Sequence, residues 1–181
     1  MDRLIPEDLL WRLNTLGDFL RSNILGQDAV IDDIVALLRR GFCGLRFPNR
    51  PLASMLFLGP TGVGKTETCN LLARYLFGSD DKLIRLDMSE YQEQRSIGVM
   101  LGAAIGERGL LGHYYDLAAG SGILLLDEME KAHALVLDLL LQILSAARIR
   151  LANGESLDLR GFVIIATSNI GSRVLMESRR P

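Results

Sequence analysis

Residues 59–66 form a pattern that is typical of phosphate-binding loops. They read Gly-Pro-Thr-Gly-Val-Gly-Lys-Thr and match G-x-x-x-x-G-K-[ST]. The three glycines allow backbone conformations that a Cβ would forbid, so successive N–H groups can surround phosphate oxygens. Lys65 adds a positive charge for the β- and γ-phosphates, and the Thr66 hydroxyl can ligate Mg²⁺. The segment therefore predicts a site for a nucleotide and its magnesium ion.

The sequence on both sides of this loop predicts the elements that position it. Residues 54–58 (Ser-Met-Leu-Phe-Leu) form an apolar run of strand length. After the loop, apolar side chains recur with helical spacing at Cys69, Leu72, Ala73, Leu76 and Phe77. A strand, a glycine loop and a helix are the arrangement that a phosphate loop requires. The helix directs the positive end of its dipole at the bound anion.

A pair of carboxylates follows a later apolar run. Residues 123–126 (Ile-Leu-Leu-Leu) predict a buried strand, and Asp127 and Glu128 come directly after it. Ligands of open α/β sheets bind at the carboxyl ends of strands. Taken alone, the pair is explained equally well by a turn at a strand end. Downstream of a phosphate loop, it predicts that Asp127 holds Mg²⁺ and that Glu128 orients the attacking water or accepts its proton.

A third candidate group follows another buried strand. Residues 162–166 (Phe-Val-Ile-Ile-Ala) predict a strand of parallel type, and Asn169 comes shortly after it. At that place Asn169 can hydrogen-bond the attacking water or the γ-phosphate, although a turn-forming asparagine is the alternative interpretation. Residues 171–181 predict the start of a helix.

Two further helices are predicted before the phosphate loop, at residues 6–21 and 28–40. In the second, Val30, Ile34 and Leu38 are predicted to face inward. After the loop and its helix, residues 83–87 predict the second strand. Four strands, each followed by helical material, predict an α/β fold with a parallel sheet and right-handed crossovers.

The second half of the chain carries further patterns. Ser89 is predicted to cap a short helix, four glycines within residues 102–112 predict a mobile loop, and residues 113–119 predict a short helix. Residues 148–159 predict a hairpin that turns at residues 153–154.

A long helix is predicted at residues 132–147. Its apolar stripe leaves Leu137 and Leu141 on the opposite face. That face either meets another subunit or subdomain, or belongs to a helix buried on both sides.

Composition narrows the function classes. A chain of 181 residues with 49% hydrophobic residues supports one domain with an ample core, and the net charge of −2 gives no sign of a nucleic-acid or membrane surface. Cys43 and Cys69 form neither a disulfide framework nor a metal-ligand pattern, and Cys69 is expected in the core. No signal peptide and no membrane span is apparent in the sequence. We expect a soluble protein of a reducing compartment.

Several blocks together resemble the Clp family of AAA+ ATPases, in particular the second ATPase domain of its ClpA-, ClpB- and ClpC-like unfoldases and disaggregases. The blocks run in family order over nearly the whole chain. They are residues 24–27 (Ile-Leu-Gly-Gln), 48–51 (Pro-Asn-Arg-Pro), 56–67, 87–91 (Asp-Met-Ser-Glu-Tyr), 126–133 (Leu-Asp-Glu-Met-Glu-Lys-Ala-His), 141–144 (Leu-Gln-Ile-Leu) and 167–172 (Thr-Ser-Asn-Ile-Gly-Ser).

The resemblance implies a role for each matching position. The implied catalytic residues are Lys65, Asp127, Glu128 and Asn169, the last as the sensor-1 residue. Thr66 and Asp127 are the implied Mg²⁺ ligands. The implied ATP-binding residues are Ile24 and Leu25, which would pack against adenine, and Gly59, Pro60, Thr61, Gly62, Val63, Gly64, Lys65, Thr66 and Glu67.

The implied fold is the three-layer α-β-α large subdomain of an AAA+ P-loop NTPase. Its sheet order is 5-1-4-3-2 in the family, hence 1-4-3-2 here, with the fifth strand and the small helical subdomain absent from this chain. Residues 1–52 would be the N-terminal helices and linker, and residues 53–181 the nucleotide-binding subdomain, truncated before the lid. The first strand is then expected to be an exposed apolar edge.

The implied activity is Mg-ATP hydrolysis that drives protein unfolding or remodelling. The family works in the cytoplasm as hexameric rings, whose neighbouring subunits meet through two different surfaces. The implied partners are a protein client and further copies of the chain, with no nucleic acid and no membrane.

This sequence departs from the pattern of the Clp family in two respects. The family's pore loop carries an aromatic residue, whereas the matching stretch here, residues 106–109, reads Gly-Glu-Arg-Gly. Tyr114 and Tyr115 lie nearby, but local packing is their favoured interpretation. The family's arginine finger and sensor-2 arginine lie beyond residue 181, so we expect this chain alone to bind nucleotide better than it hydrolyses it.

Two alternatives to a protein-threading ATPase stay open. One is a nucleotide-gated assembly or scaffold module, which the missing aromatic favours. The other is a DNA-linked AAA+ motor, against which the near-neutral charge and the family-specific blocks argue.

Overall fold

The computed structural model describes residues 5–104 and 106–171. The first part of the chain forms α1 Glu7–Asn23, α2 Asp28–Phe42, β1 Ala53–Leu58, α3 Lys65–Leu72 and β2 Leu83–Asp87. The second part forms α4 Ser96–Leu101, α5 Gly109–Leu117, β3 Gly122–Asp127, α6 Ala134–Ala146, β4 Arg148–Arg150, β5 Ser156–Asp158 and β6 Phe162–Ser168. The strand, loop and helix predicted around the phosphate loop are confirmed.

Four parallel strands make the central sheet, in the order β1-β6-β3-β2. Because β6 is the fourth strand predicted from the sequence, this is the predicted order 1-4-3-2. Every residue of β3 and β6 is buried, which explains why both strands begin with uninterrupted apolar runs. The carboxyl ends of all four strands therefore lie along one edge of the sheet.

Helices cover both faces of this sheet. Helices α1, α2 and α3 pack on one face, against side chains such as Leu125 and Val163. Helices α4, α5 and α6 and the β4–β5 hairpin pack on the other face, against side chains such as Leu124 and Ile164. Successive side chains of a strand point to opposite faces, so β3 and β6 supply both clusters. The predicted three-layer α-β-α architecture is confirmed.

Strand β1 lies at the edge of the described sheet and pairs only with β6 among the residues that the structure describes. Leu56 and Leu58 are 58% and 53% exposed. The expectation of an exposed apolar edge holds for this part of the chain.

The inward face of α2 differs from the prediction at one position. Val30 is 47% exposed, while Ile31 and Val35 are buried together with Ile34 and Leu38. The buried positions follow the spacing i, i+3, i+4 and i+7 from Ile31, so Val30 lies about 90° away from their centre line.

The segment after β2 differs from the prediction in three places. Ser89 does not cap a helix: the Asp87 carboxylate instead accepts from the Ser89 backbone N–H at 2.9 Å and opens a short 3₁₀ turn. The glycine-rich stretch is not one loop, because α5 begins at Gly109 rather than at His113. Helix α4, which precedes that stretch, was not predicted.

The long helix and the hairpin follow the sequence closely. Strands β4 and β5 pair antiparallel around the turn at residues 153–154, as predicted. In α6, Leu137 and Leu141 are 44% and 63% exposed, so the alternative of a helix buried on both sides is wrong for the single chain. The helix predicted at residues 171–181 lies almost entirely outside the described residues.

Candidate functional site

The phosphate loop connects the end of β1 to the start of α3. Gly62 and Gly64 have φ angles of +85° and +91°, and a Cβ added at either would meet no atom within 4 Å. Glycine is therefore favoured at both positions by the backbone conformation, and not because neighbouring atoms leave no space for a side chain. Helix α3 begins at Lys65, and its first turn is held by the Thr68 backbone N–H and hydroxyl, which both donate to Gly64 O at 2.8 Å.

Lys65 and Asn169 meet at the edge of the sheet where the strands end. Lys65 Nζ donates to Gly59 O at 2.7 Å, to Pro60 O at 3.0 Å and to Asn169 Oδ1 at 2.9 Å. The contact joins residues 104 positions apart. It exists because β6, which ends just before Asn169, lies next to β1, which ends just before the loop.

Asp127 is the buried centre of the site and is 5% exposed. Its Oδ1 accepts from Thr167 Oγ1 at 2.5 Å, and its Oδ2 accepts from Arg85 Nη2 at 2.7 Å and from Thr66 Oγ1 at 3.4 Å. The two residues predicted to hold Mg²⁺, Thr66 and Asp127, thus lie within hydrogen-bonding distance.

Glu128 and Glu130 fix the turn that follows β3. The Glu128 backbone N–H donates to Thr167 Oγ1 at 3.0 Å, and its φ of +59° is unusual for a residue with a Cβ. The Glu128 carboxylate pairs with Lys131 Nζ at 2.5 Å. Glu130 Oε1 accepts from the Asn169 backbone N–H at 3.2 Å. Partial burial of Glu130 opposes its ionisation, but hydrogen bonds from its own backbone, Ser168 and Asn169 prevail and lower its pKa.

We call Arg85, Asp127, Glu128, Thr167 and Asn169 the strand-end cluster. Sequence reasoning singled out Asp127, Glu128 and Asn169 and missed the other two. Arg85 carries a weak signal, since it is the one charge between Ile84 and Leu86, on the same face of β2 as Asp87. Thr167 gives no signal on its own, because a threonine suits any strand.

Two adjoining cavities lie beside the phosphate loop, and the strand-end cluster lines the polar one. The polar cavity has a volume of about 400 Å³. It is lined by Thr61, Gly62, Gly64, Lys65, Thr66, Glu67, Arg85, Asp87, Asp127, Glu128, Thr167 and Asn169. The apolar cavity has a volume of about 310 Å³. It is lined by Ile24, Gln27, Val30, Ile31, Ile34, Leu56, Phe57, Leu58, Val63, Lys65 and Thr68. Lys65 lines both, so an anion in one cavity and an apolar ring in the other can belong to one ligand.

The structure separates the two residues predicted to contact adenine. Ile24 lines the apolar cavity, but Leu25 is 90% exposed and does not. Helix α1 ends at Asn23 and the chain turns at Gly26, with φ of +70°, which directs Leu25 outward. Phe57 and Val63 line the cavity from the other side.

The donor set matches a phosphate-bound magnesium ion better than a metal held by protein alone. Within residues 5–104 and 106–171, no three His, Cys, Asp or Glu side chains are grouped to hold a metal. Mg²⁺ commonly takes one or two protein oxygens and completes its shell with phosphates and water, as Thr66 and Asp127 beside the phosphate loop allow.

None of the described helices is long and apolar enough to cross a membrane.

The fold and the position of the phosphate loop define a P-loop nucleoside triphosphatase domain. Residues 50–181 match the family model described as AAA domain (Cdc48 subfamily). The chain is 45% identical over 177 residues to chaperone protein ClpB of Aquifex aeolicus, which is 95% of this chain and 18% of that protein. It is 43% identical to chaperone protein ClpB 1 of a Nostoc species over 92% of this chain and 19% of that protein.

A third relative gives the same result. Chaperone protein ClpB of Vibrio cholerae is 42% identical over 92% of this chain and 20% of that protein. The chain belongs to the AAA+ ATPases and, within them, to the Clp family. It spans about a fifth of the length of these curated relatives.

Proposed function

We propose that this chain binds Mg-ATP and hydrolyses it as the nucleotide-binding part of a protein-remodelling ATPase. One observation carries the proposal: Lys65, Thr66, Asp127 and Asn169 come from three distant segments and converge on one cavity. Convergence of these four side chains is what the phosphate-loop and strand-end patterns require together. The structural frame for it is the strand order β1-β6-β3.

Each residue has a defined task in this proposal. The loop N–H groups and Lys65 hold the β- and γ-phosphates, and Thr66 with Asp127 holds Mg²⁺, which would neutralise charge that develops on the phosphates. Glu128 accepts the proton of the attacking water, and Asn169 orients that water or the γ-phosphate. Thr167 positions both acids, because its hydroxyl donates to Asp127 and accepts from the Glu128 backbone. Ile24 and Val63 line the cavity proposed for adenine.

The proposed output of hydrolysis is remodelling of a client protein in a ring of subunits. It is supported by the family and by relatives that are named as chaperones. We propose a cytoplasmic, hexameric assembly of the longer protein that acts on protein clients, without nucleic acid or membrane. The division into residues 1–52 and 53–181 is part of this proposal.

A second candidate function is a nucleotide-gated assembly module that threads no polypeptide. Residues 106–109, which we call the 106–109 turn, favour it. The Glu107 carboxylate accepts from the backbone N–H groups of Ala103 and Ala104 at 3.0 and 3.3 Å. Arg108 forms ion pairs with Asp116 and Glu155. Both charged side chains of the turn are thus engaged within the chain instead of being directed toward a client.

The first test is binding and turnover of Mg-ATP, with Lys65→Ala as the blank. We expect the chain to bind a fluorescent ATP analogue and Lys65→Ala to lose at least tenfold in affinity, because the phosphates lose a charge-assisted hydrogen bond (about 1.5–3 kcal/mol). In the longer protein, Glu128→Gln should keep this affinity and lose roughly 10²–10⁴ in turnover. Equal binding by Lys65→Ala, or undiminished turnover by Glu128→Gln, would contradict the proposal.

Client unfolding and sedimentation, each measured with and without ATP, distinguish the two candidate functions. A remodelling ATPase is expected to stimulate unfolding of a fluorescent client when ATP is present. A nucleotide-gated module is expected to change its sedimentation with ATP and leave the client folded. If the chain is a nucleotide-gated module, substitution of Glu107 and Arg108 by alanine should leave the ATP-dependent change in sedimentation intact.

A further inference from the structure

Arg85 and Asp127 form an ion pair inside the strand-end cluster. Arg85 Nη2 lies 2.7 Å from Asp127 Oδ2, the same oxygen that accepts from Thr66 Oγ1. The Asp127 side chain is 7% exposed, whereas that of Arg85 is 52% exposed. A half-exposed guanidinium thus reaches the buried oxygen that lies next to the proposed magnesium ligand Thr66.

The sheet determines this pairing. Arg85 lies opposite Leu125 in the register of β2 and β3, and Asp127 follows two residues later. Side chains two residues apart share a face, so Arg85 and Asp127 are diagonal neighbours on the face that α3 covers. Ile84 and Leu86, on either side of Arg85, are buried in the opposite cluster. Arg85 can therefore leave Asp127 by side-chain rotation but not by a shift of the strand.

The Arg85–Asp127 contact changes the balance of charge in the polar cavity. The described residues that line the polar cavity include four carboxylates, on Glu67, Asp87, Asp127 and Glu128, and two cationic side chains, on Lys65 and Arg85. Lys65 contacts carbonyl oxygens and Asn169. Arg85 is the one of the two that contacts a carboxylate of this cavity, and that carboxylate is the negative group in the proposed magnesium pair.

We propose that Arg85 is a positioning residue that competes with Mg²⁺ for Asp127. The inference rests on the proposed nucleotide function of the same site. When the guanidinium contacts Oδ2, it neutralises Asp127, so the cavity accepts phosphates even without a divalent cation. When the guanidinium rotates away, it leaves a negative oxygen available to the cation. Arg85 thereby determines how strongly nucleotide affinity depends on Mg²⁺.

The test compares the Kd of a fluorescent ADP analogue in EDTA with its Kd in saturating Mg²⁺. The charge is removed by Arg85→Gln, which keeps a polar but shorter, uncharged side chain. The matched control is Arg74→Ala, because Arg74 pairs with Asp80 at 2.5 Å and is 59% exposed but lines neither cavity. We expect the Kd in EDTA divided by the Kd in Mg²⁺ to rise about fivefold in Arg85→Gln. In the control, this ratio should stay unchanged. Without the guanidinium, Asp127 repels phosphates in EDTA and attracts the cation more strongly.

Other results have defined meanings. An unchanged ratio in a variant with the parent's circular dichroism and thermal unfolding overturns the inference. An equal loss of affinity in EDTA and in Mg²⁺ also overturns it, because Arg85 would then contact phosphate directly. If Arg85→Gln does not fold, Arg85→Met keeps the aliphatic stem and is measured in its place. Failure of the proposed function is distinct: the parent chain then binds the analogue no better than Lys65→Ala, and the inference fails with it.

Discussion

The strand-end cluster and the 106–109 turn both carry charged side chains but hold them in different ways. In the cluster, Asp127 is 5% exposed and takes hydrogen bonds from β2, α3 and β6. In the turn, Arg108 and its partners Asp116 and Glu155 are 35–55% exposed. Buried partners on a sheet keep their geometry, while exposed ion pairs contribute little and are screened by salt. The first region should therefore tolerate small changes poorly and the second region well.

The largest expected effect concerns the core beneath the cluster. Cys69 of α3 is fully buried, and burial together with the nearby Asp127 charge raises the pKa of its thiol to about 12. Cys43 is exposed. At pH 8 the thiolate fraction of Cys69 is roughly a thousandfold below that of an ordinary cysteine. We expect a thiol reagent to modify one cysteine in the native chain and two in urea.

The Cys43→Ser variant is the control for this experiment, since its native form should then react hardly at all. Rapid modification of Cys69 in that variant would mean that the layer beneath the cluster opens readily. The proposed rigidity of the first region would then be wrong.

A smaller effect is expected from Thr167→Val, which keeps the shape of the side chain. The change removes the donor to Asp127 Oδ1 and the acceptor for the Glu128 backbone N–H, and Thr167 itself is 1% exposed. We expect a loss of about 1–3 kcal/mol in the free energy of unfolding, measured by urea denaturation. Thr167→Ser keeps the hydroxyl and should lose clearly less. Equal losses in the two variants would mean that the hydroxyl stabilises the fold no more than the methyl group does, which contradicts this prediction.

The smallest effect is expected from Arg108→Ala in the 106–109 turn. Its ion pairs are half exposed, so the urea midpoint should move less than in Thr167→Val, and the difference should shrink further in high salt. The affinity for nucleotide should not change. A shift as large as that of Thr167→Val would remove the contrast between the two regions.

The nucleotide end of the fold is predictable because its signals are local. Glycine spacing identifies the phosphate loop, and acids or amides directly after apolar runs identify strand ends, so Asp127 and Asn169 follow from the sequence once the sheet is parallel. The contact of Arg85 with Asp127 could not be predicted, because a single charge within a strand looks the same whether it meets water or a neighbouring strand. The direction of Leu25 likewise depends on the turn after α1, which no short pattern specifies.

The glycine-rich stretch after α4 misled the prediction for a different reason. Four glycines within residues 102–112 predict a mobile loop, but two of them lie where backbone segments come close together. A Cβ added at Gly102 would lie 2.4 Å from Glu107 O, and one added at Gly109 would lie 2.4 Å from Met100 O. Composition cannot distinguish a glycine that frees the backbone from one that allows two backbone segments to touch.

The β4–β5 hairpin has a mechanical consequence. Just after β4, Ala152 N–H donates to Leu101 O at 2.9 Å, and just after β5, Leu159 N–H donates to Ala147 O at 2.7 Å. Backbone hydrogen bonds thus join the hairpin to the last residue of α4 and to the residue directly after α6. Backbone hydrogen bonds therefore connect the end of α4 to the end of α6 through the hairpin, in addition to the side-chain packing of these elements.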